Sequence, residues 1–161
     1  MCSFCQLAVR RRGQIGADME DDTIKLLREC NAGIKMGVSS LDDVMEHVKS
    51  EEMRNLLAKS KETHTRLGNT THEYLEKYHD DGKEPAAMAK MMSKLKSDFM
   101  LGIDESDAKV ADLITDGCNM GIKSLYRYIN QYPAAEEKIT KLAKEVAEAE
   151  ETLVQDLRQY L

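Results

Sequence analysis

The sequence predicts an all-α fold built from two copies of one helical hairpin. Three observations carry this. Ala, Leu, Lys, Glu and Met dominate the chain and only two prolines and nine glycines interrupt it, a composition that favours long helices on intrinsic propensity. Apolar residues recur every three to four positions over four long stretches, which is the spacing of amphipathic helices. Finally, Cys30-Asn31-Ala32-Gly33-Ile34-Lys35 returns as Cys118-Asn119-Met120-Gly121-Ile122-Lys123, five identities in six.

The elements follow in order. The first helix is expected over residues 22–48, with Thr23, Leu26, Cys30, Gly33/Ile34, Gly37, Leu41, Val44 and Val48 facing the core. Ser50 before Glu51 and Glu52 reads as an N-cap with first-turn acids. The second helix then covers 51–78 and carries Met53, Leu56, Ser60, Thr63, Leu67, Thr70 and Tyr74 on its stripe. Asp80-Asp81-Gly82-Lys83-Glu84-Pro85 is a break. A short amphipathic helix is expected over 86–100, with Met88, Met91/Met92, Leu95 and Phe99 on one side. Ser106 caps a third long helix over 107–131, whose stripe includes Ala111, Ile114, Cys118, Ile122, Leu125 and Ile129. Tyr132-Pro133 is a tight joint, with Pro133 suited to the first turn of the fourth helix. That helix presents Ile139, Leu142, Val146, Ala149, Leu153 and Tyr160.

Two short-looped hairpins joined by a long crossover, residues 79–105, give a ferritin-like four-helix bundle rather than a simple up-and-down one. Aligning the copies with a two-residue gap brings Leu56 onto Leu142, Leu67 onto Leu153 and Tyr74-Leu75 onto Tyr160-Leu161. The segment Ile114-Thr-Asp-Gly-Cys-Asn-Met-Gly-Ile-Lys123, followed by Tyr128-Ile-Asn-Gln-Tyr-Pro133, resembles bacterial ferritin-like proteins assigned to a domain of unknown function. The resemblance covers roughly residues 22–161. It implies the fold and lends no activity.

Composition narrows the classes of partner. A formal net charge of −6 repels phosphate backbones, so nucleic acid is not an expected partner. No apolar run approaches the roughly 20 residues that span a bilayer, so no membrane is expected either. In residues 1–18 the arginines Arg10-Arg11-Arg12 follow the apolar patch instead of preceding it, the reverse of a secretory signal. A cytoplasmic protein with reduced cysteines is the expectation. Met19 before Glu20-Asp21-Asp22 reads as a natural start, which makes residues 1–18 a disordered N-terminal extension and 19–161 the bundle domain.

A ferritin-like bundle raises the question of metal. Di-iron bundles need a Glu from each of two helices and a Glu-x-x-His from each of the others. The expected central positions are Cys30, Gly33, Ser60, Thr63, Cys118, Gly121, Val146 and Ala149, none of them a carboxylate. The sole Glu-x-x-His is Glu76-Lys-Tyr-His79. His64 and His72, two turns apart, complete the weak metal candidates; solvated or hydrogen-bonded histidines are the favoured reading of both. Cys2-x-x-Cys5 has zinc-ligand spacing but lacks a second pair. No metal, cofactor or catalytic residue is therefore assigned.

The repeated Cys-Asn-x-Gly-Ile-Lys element has two readings. In the packing reading, Cys30 and Cys118 are small buried hydrophobes and the glycines let neighbouring helices approach. Asn31 and Asn119 bond across a pseudo-twofold, and Lys35 and Lys123 reach solvent. In the sharper reading Cys30 and Cys118 form a redox or soft-metal pair. Packing is favoured, since apolar burial raises a thiol's pKa and makes it inert. The overall expectation is a non-catalytic helical bundle with a structural or protein-interaction role. The alternative is a metal-binding or redox-linked bundle using cysteine or histidine ligands. A homodimer, through the crossover helix or the outer helix faces, is the open partner.

Overall fold

The computed structural model describes residues 3–82 and 106–161, with side chains from residue 14 onward. Among the described residues there are four long helices and no strand. They are α1 (Ser3–Met45), α2 (Glu51–Lys77), α3 (Asp107–Gln131) and α4 (Glu137–Leu157), and α4 closes in a 3-10 turn, Arg158–Tyr160. The Met88, Met91, Met92, Leu95 and Phe99 stripe lies outside the described residues, as do the side chains of Cys2 and Cys5.

α1 starts at Ser3, well ahead of the residue 22 marked by periodicity. Apolar spacing carries no signal over residues 14–21, because all of them are exposed. Among the described side chains, the first buried one is Thr23. α2 starts where the cap signal places it: Ser50 Oγ accepts the Met53 N–H at 3.2 Å. Ser106 does the same for α3 through the Lys109 N–H, also at 3.2 Å.

α1 packs beside α2 and α3, α4 packs beside α2 and α3, and α1 also meets α4 across the diagonal. Each interhelical turn is held by the other hairpin. Asp107, at the start of α3, accepts the backbone N–H groups of Lys49 and Ser50 at 2.7 and 3.0 Å. On α1, Asp22 accepts the Ala134 N–H and Thr23 Oγ1 accepts the Glu136 N–H, both at 2.9 Å. This second tether explains a difference from the sequence reading. Pro133 lies in the turn, and α4 begins only at Glu137, after the Ala134 and Glu136 amides have been committed to α1.

The core forms two apolar clusters, one at each end of the bundle. At one end, Leu26, Leu27, Cys30 and Ile34 of α1 meet Leu67 and Leu75 of α2, Leu125 of α3, and α4 from Ile139 to Ala147. At the other, Leu41, Val44 and Val48 meet Met53 and Leu57, the first half of α3 from Val110 to Cys118, and Leu153 and Leu157.

The buried face of α2 is turned by one residue from its expected stripe. Leu57, His64, Thr71 and Leu75 are buried where Leu56, Thr63, Thr70 and Tyr74 were expected. Burying two leucines and an imidazole removes more apolar surface from water than the expected set does. The displaced hydroxyls fold back on their own helix: Thr63 and Thr70 donate to the carbonyls four residues earlier, each at 3.2 Å. Tyr74 stays half-buried beneath the ammonium groups of Lys77 and Lys138, 5.0 and 5.5 Å from its ring centre.

Candidate functional site

Between the two clusters the helices cross a narrow waist. Going from one cluster to the other, α1 passes through Gly37, α2 through His64, α3 through Gly121 and α4 through Glu150. Two of these residues have no side chain, and the other two are buried titratable groups.

His64 is 2% exposed. Its Cδ2 lies 3.3 Å from where a Cβ on Gly37 would stand, so the missing side chain at 37 makes room for the ring. Its Nδ1 is 2.8 Å from the Ser60 carbonyl, which can only accept. Nδ1 therefore carries the proton, and Nε2 keeps the lone pair. Burial lowers the His64 pKa, with the Ser60 bond acting weakly against it, so the ring is neutral.

Glu150 is 6% exposed, and among the described residues its Oε2 has no hydrogen-bond partner. The carboxyl occupies the space beside Gly121: a Cβ there would lie 2.8 Å from Glu150 Cδ and 2.7 Å from Oε1. Burial pushes the carboxyl up to about 8, so it is protonated at neutral pH. This corrects the expectation that the bundle centre holds no carboxylate residue. The signal was present in the sequence, since residue 150 falls four after Val146 and three before Leu153 on the core stripe. By residue type alone, Glu150 does not stand out from the exposed Glu148 and Glu151 beside it. Glu29, the next acid inward on α1, is half-buried, raised by desolvation and bonded to Tyr128.

Cys30 and Cys118 are both buried and unbridged. Burial pushes each thiol up to about 12; the Glu150 carboxyl adds to this at both, and Glu29 adds to it at Cys30. Thiols held protonated in this way are poor nucleophiles and poor ligands.

The repeated element plays different parts in its two copies. Asn31 is buried and donates to the Gly82 carbonyl at 3.3 Å, anchoring the chain that leaves α2, whereas Asn119 is exposed. The expected pairing of the two amides is thus replaced by one local anchor. A Cβ at Gly33 would meet nothing within 4 Å, so close approach is required at Gly121 and not at its counterpart. Lys35 and Lys123 are exposed, as expected.

The histidine candidates are not brought together. His72 is exposed, 3.3 Å from Glu76 on the same outer face, while His64 points inward. His79 lies two residues beyond the end of α2, with φ 55°, and is exposed. Among the described residues no three His, Cys, Asp or Glu side chains are grouped to hold a metal ion.

Among the described residues, four helices meet at a polar waist whose buried carboxyl is protonated at neutral pH. No family model matches the chain, and no curated protein sequence matches it. Its fold is similar to the crystal structure of a DUF305 fragment, a domain of unknown function, from Deinococcus radiodurans. The TM-score is 0.67 at 9% identity, covering 86% of this chain and 93% of that one. At that identity the likeness concerns the fold alone.

Proposed function

We propose that this chain is a non-catalytic helical-bundle protein that works by association, and that its partner is a second copy of itself. One observation carries the reading. α1 continues past the bundle, and the projecting part presents Ile15 and Met19, 61% and 42% exposed, four residues apart on one helix face. A lone helix is marginal in water, and an apolar stripe on it gains most from being covered. Residues 19–161 are the bundle domain in this reading, and residues 1–18 are an extension that serves contact.

The proposal includes a duplicated hairpin in ferritin-like topology. The repeated hexapeptide supports it, as does the reciprocal tethering of each hairpin turn by the first helix of the other hairpin. Two buried, unbridged thiols support a cytoplasmic protein. Among the described residues no helix is long and apolar enough to cross a membrane.

Sedimentation equilibrium of the full chain is the test. A two-chain mass that falls to one chain in Ile15→Asp/Met19→Asp, with helical content unchanged, is the expected result. A wild-type chain that stays monomeric as concentration is raised defeats the proposal. The metal- or redox-linked alternative draws on the unprotonated Nε2 of His64 and on the thiols. Stoichiometric metal in protein purified without chelator would favour it.

A further inference from the structure

The waist combines a buried acid with bare backbone. Glu150 is more than nine-tenths buried, its Oε2 is unpartnered, and its carboxyl lies in the space that a side chain on residue 121 would occupy. A neutral carboxyl can rest there. A carboxylate cannot do so without water or a cation, because an unpaired interior charge is costly.

Among the described residues the groups around it supply no cation. From α3 the titratable neighbour is the Cys118 thiol, and from α1 it is the Cys30 thiol, both of which sense the Glu150 charge. On α2 the buried titratable group at the same level is His64, whose proton on Nδ1 is already given to Ser60.

We infer that Glu150 is a proton-controlled latch: protonated, it closes the α3–α4 hairpin on Gly121, and on losing its proton it draws water into the waist and loosens that hairpin. The side chain uncovered first is Cys118, which lies three residues before Gly121 on α3 and is itself 9% exposed. The carboxyl's value of about 8 places the transition in the mildly alkaline range.

The test is alkylation of Cys118 in the full folded chain, mapped by peptide mass, between about pH 6 and about pH 9. The rate in wild type is divided by the rate in Glu150→Gln. Dividing removes the ordinary rise in thiolate with pH; the Glu150 charge itself holds the Cys118 thiol up and so lowers the ratio, which means that a rise in it reports the opening of the waist. The ratio should climb by about tenfold or more across the range, following ionisation of one carboxyl. A constant ratio overturns the latch. Infrared spectra of the wild type stand independently of the variant's folding. A protonated carboxylic acid band present at neutral pH and lost by about pH 9 supports the inference, and the absence of such a band at neutral pH overturns it.

Discussion

The ring of His64 lies over Gly37, with its Cδ2 3.3 Å from the position of the missing Cβ, and hands its one proton to the Ser60 carbonyl. The consequence is a dependence on acid. The folded pKa lies below the ordinary 6.5, so below that pH the unfolded chain takes up a proton that the folded one refuses. His64 therefore supports the fold at neutral pH, and this support is lost as the pH falls from 6.5 through the folded value. Denaturant melts should show the stability difference between wild type and His64→Gln shrinking below that point. The expected slope is up to about 1.4 kcal/mol per pH unit. A difference that does not change with pH would mean the ring is hydrated.

Gly33 and Gly121 hold the same place in the repeated element but should respond oppositely to alanine. At Gly33 the new methyl meets nothing within 4 Å. Gly33→Ala should stabilise by about 0.5–1 kcal/mol through helix propensity. At Gly121 the methyl meets the Glu150 carboxyl, and Gly121→Ala should cost about 1–3 kcal/mol as overpacking. In a Glu150→Ala background the Gly121→Ala cost should disappear, a coupling that a double-mutant cycle reads directly.

The caps have ordinary, separable values. Ser50→Ala and Ser106→Ala should each cost about 1 kcal/mol, because each hydroxyl satisfies one free N–H in a first helical turn. Asp107→Ala should cost more, about 1–3 kcal/mol, because it leaves the Lys49 and Ser50 amides without their acceptor. Urea midpoints at constant slope are the measurement, and equal losses for all three would remove the tether from the account.

At neutral pH, Cys30 and Cys118 should label slowly in the folded chain. Both are buried, and both thiols stand at about 12, far above the ordinary range. Labelling should accelerate to the rate of a free thiol in denaturant. Fast reaction of Cys30 under native conditions would restore the redox reading.

Much of the architecture is legible in the sequence. The four long helices, the Ser50 and Ser106 caps and the burial of both cysteines follow from apolar spacing and short polar side chains at helix starts. The rest depends on tertiary choice. On α2, rows 56-60-63 and 57-60-64 look alike in sequence; the second gains from the apolar surface that Leu75 and the His64 ring bury, and the notch at Gly37 that receives the ring exists only in the folded bundle. The burial of Glu150 is not legible from its residue type in the sequence, because a glutamate between core positions ordinarily faces solvent. Here the carboxyl is buried in its neutral form, which spacing alone cannot report. The two asparagines of the repeat look equivalent in sequence, yet only Asn31 has the chain after α2 beside it, at Gly82.

The reciprocal turn tethers make the two hairpins a single cooperative unit. Lys49 and Ser50 are held by a residue of α3, and Ala134 and Glu136 by residues of α1. These amides sit in turns, where hydrogen exchange is usually fast because local fraying is enough to expose them. Here each is also held by a side chain of the other hairpin, so they should exchange more slowly than their place in the chain suggests. Either half alone would leave its own turn uncapped. Separating the two halves therefore removes both tethers at once.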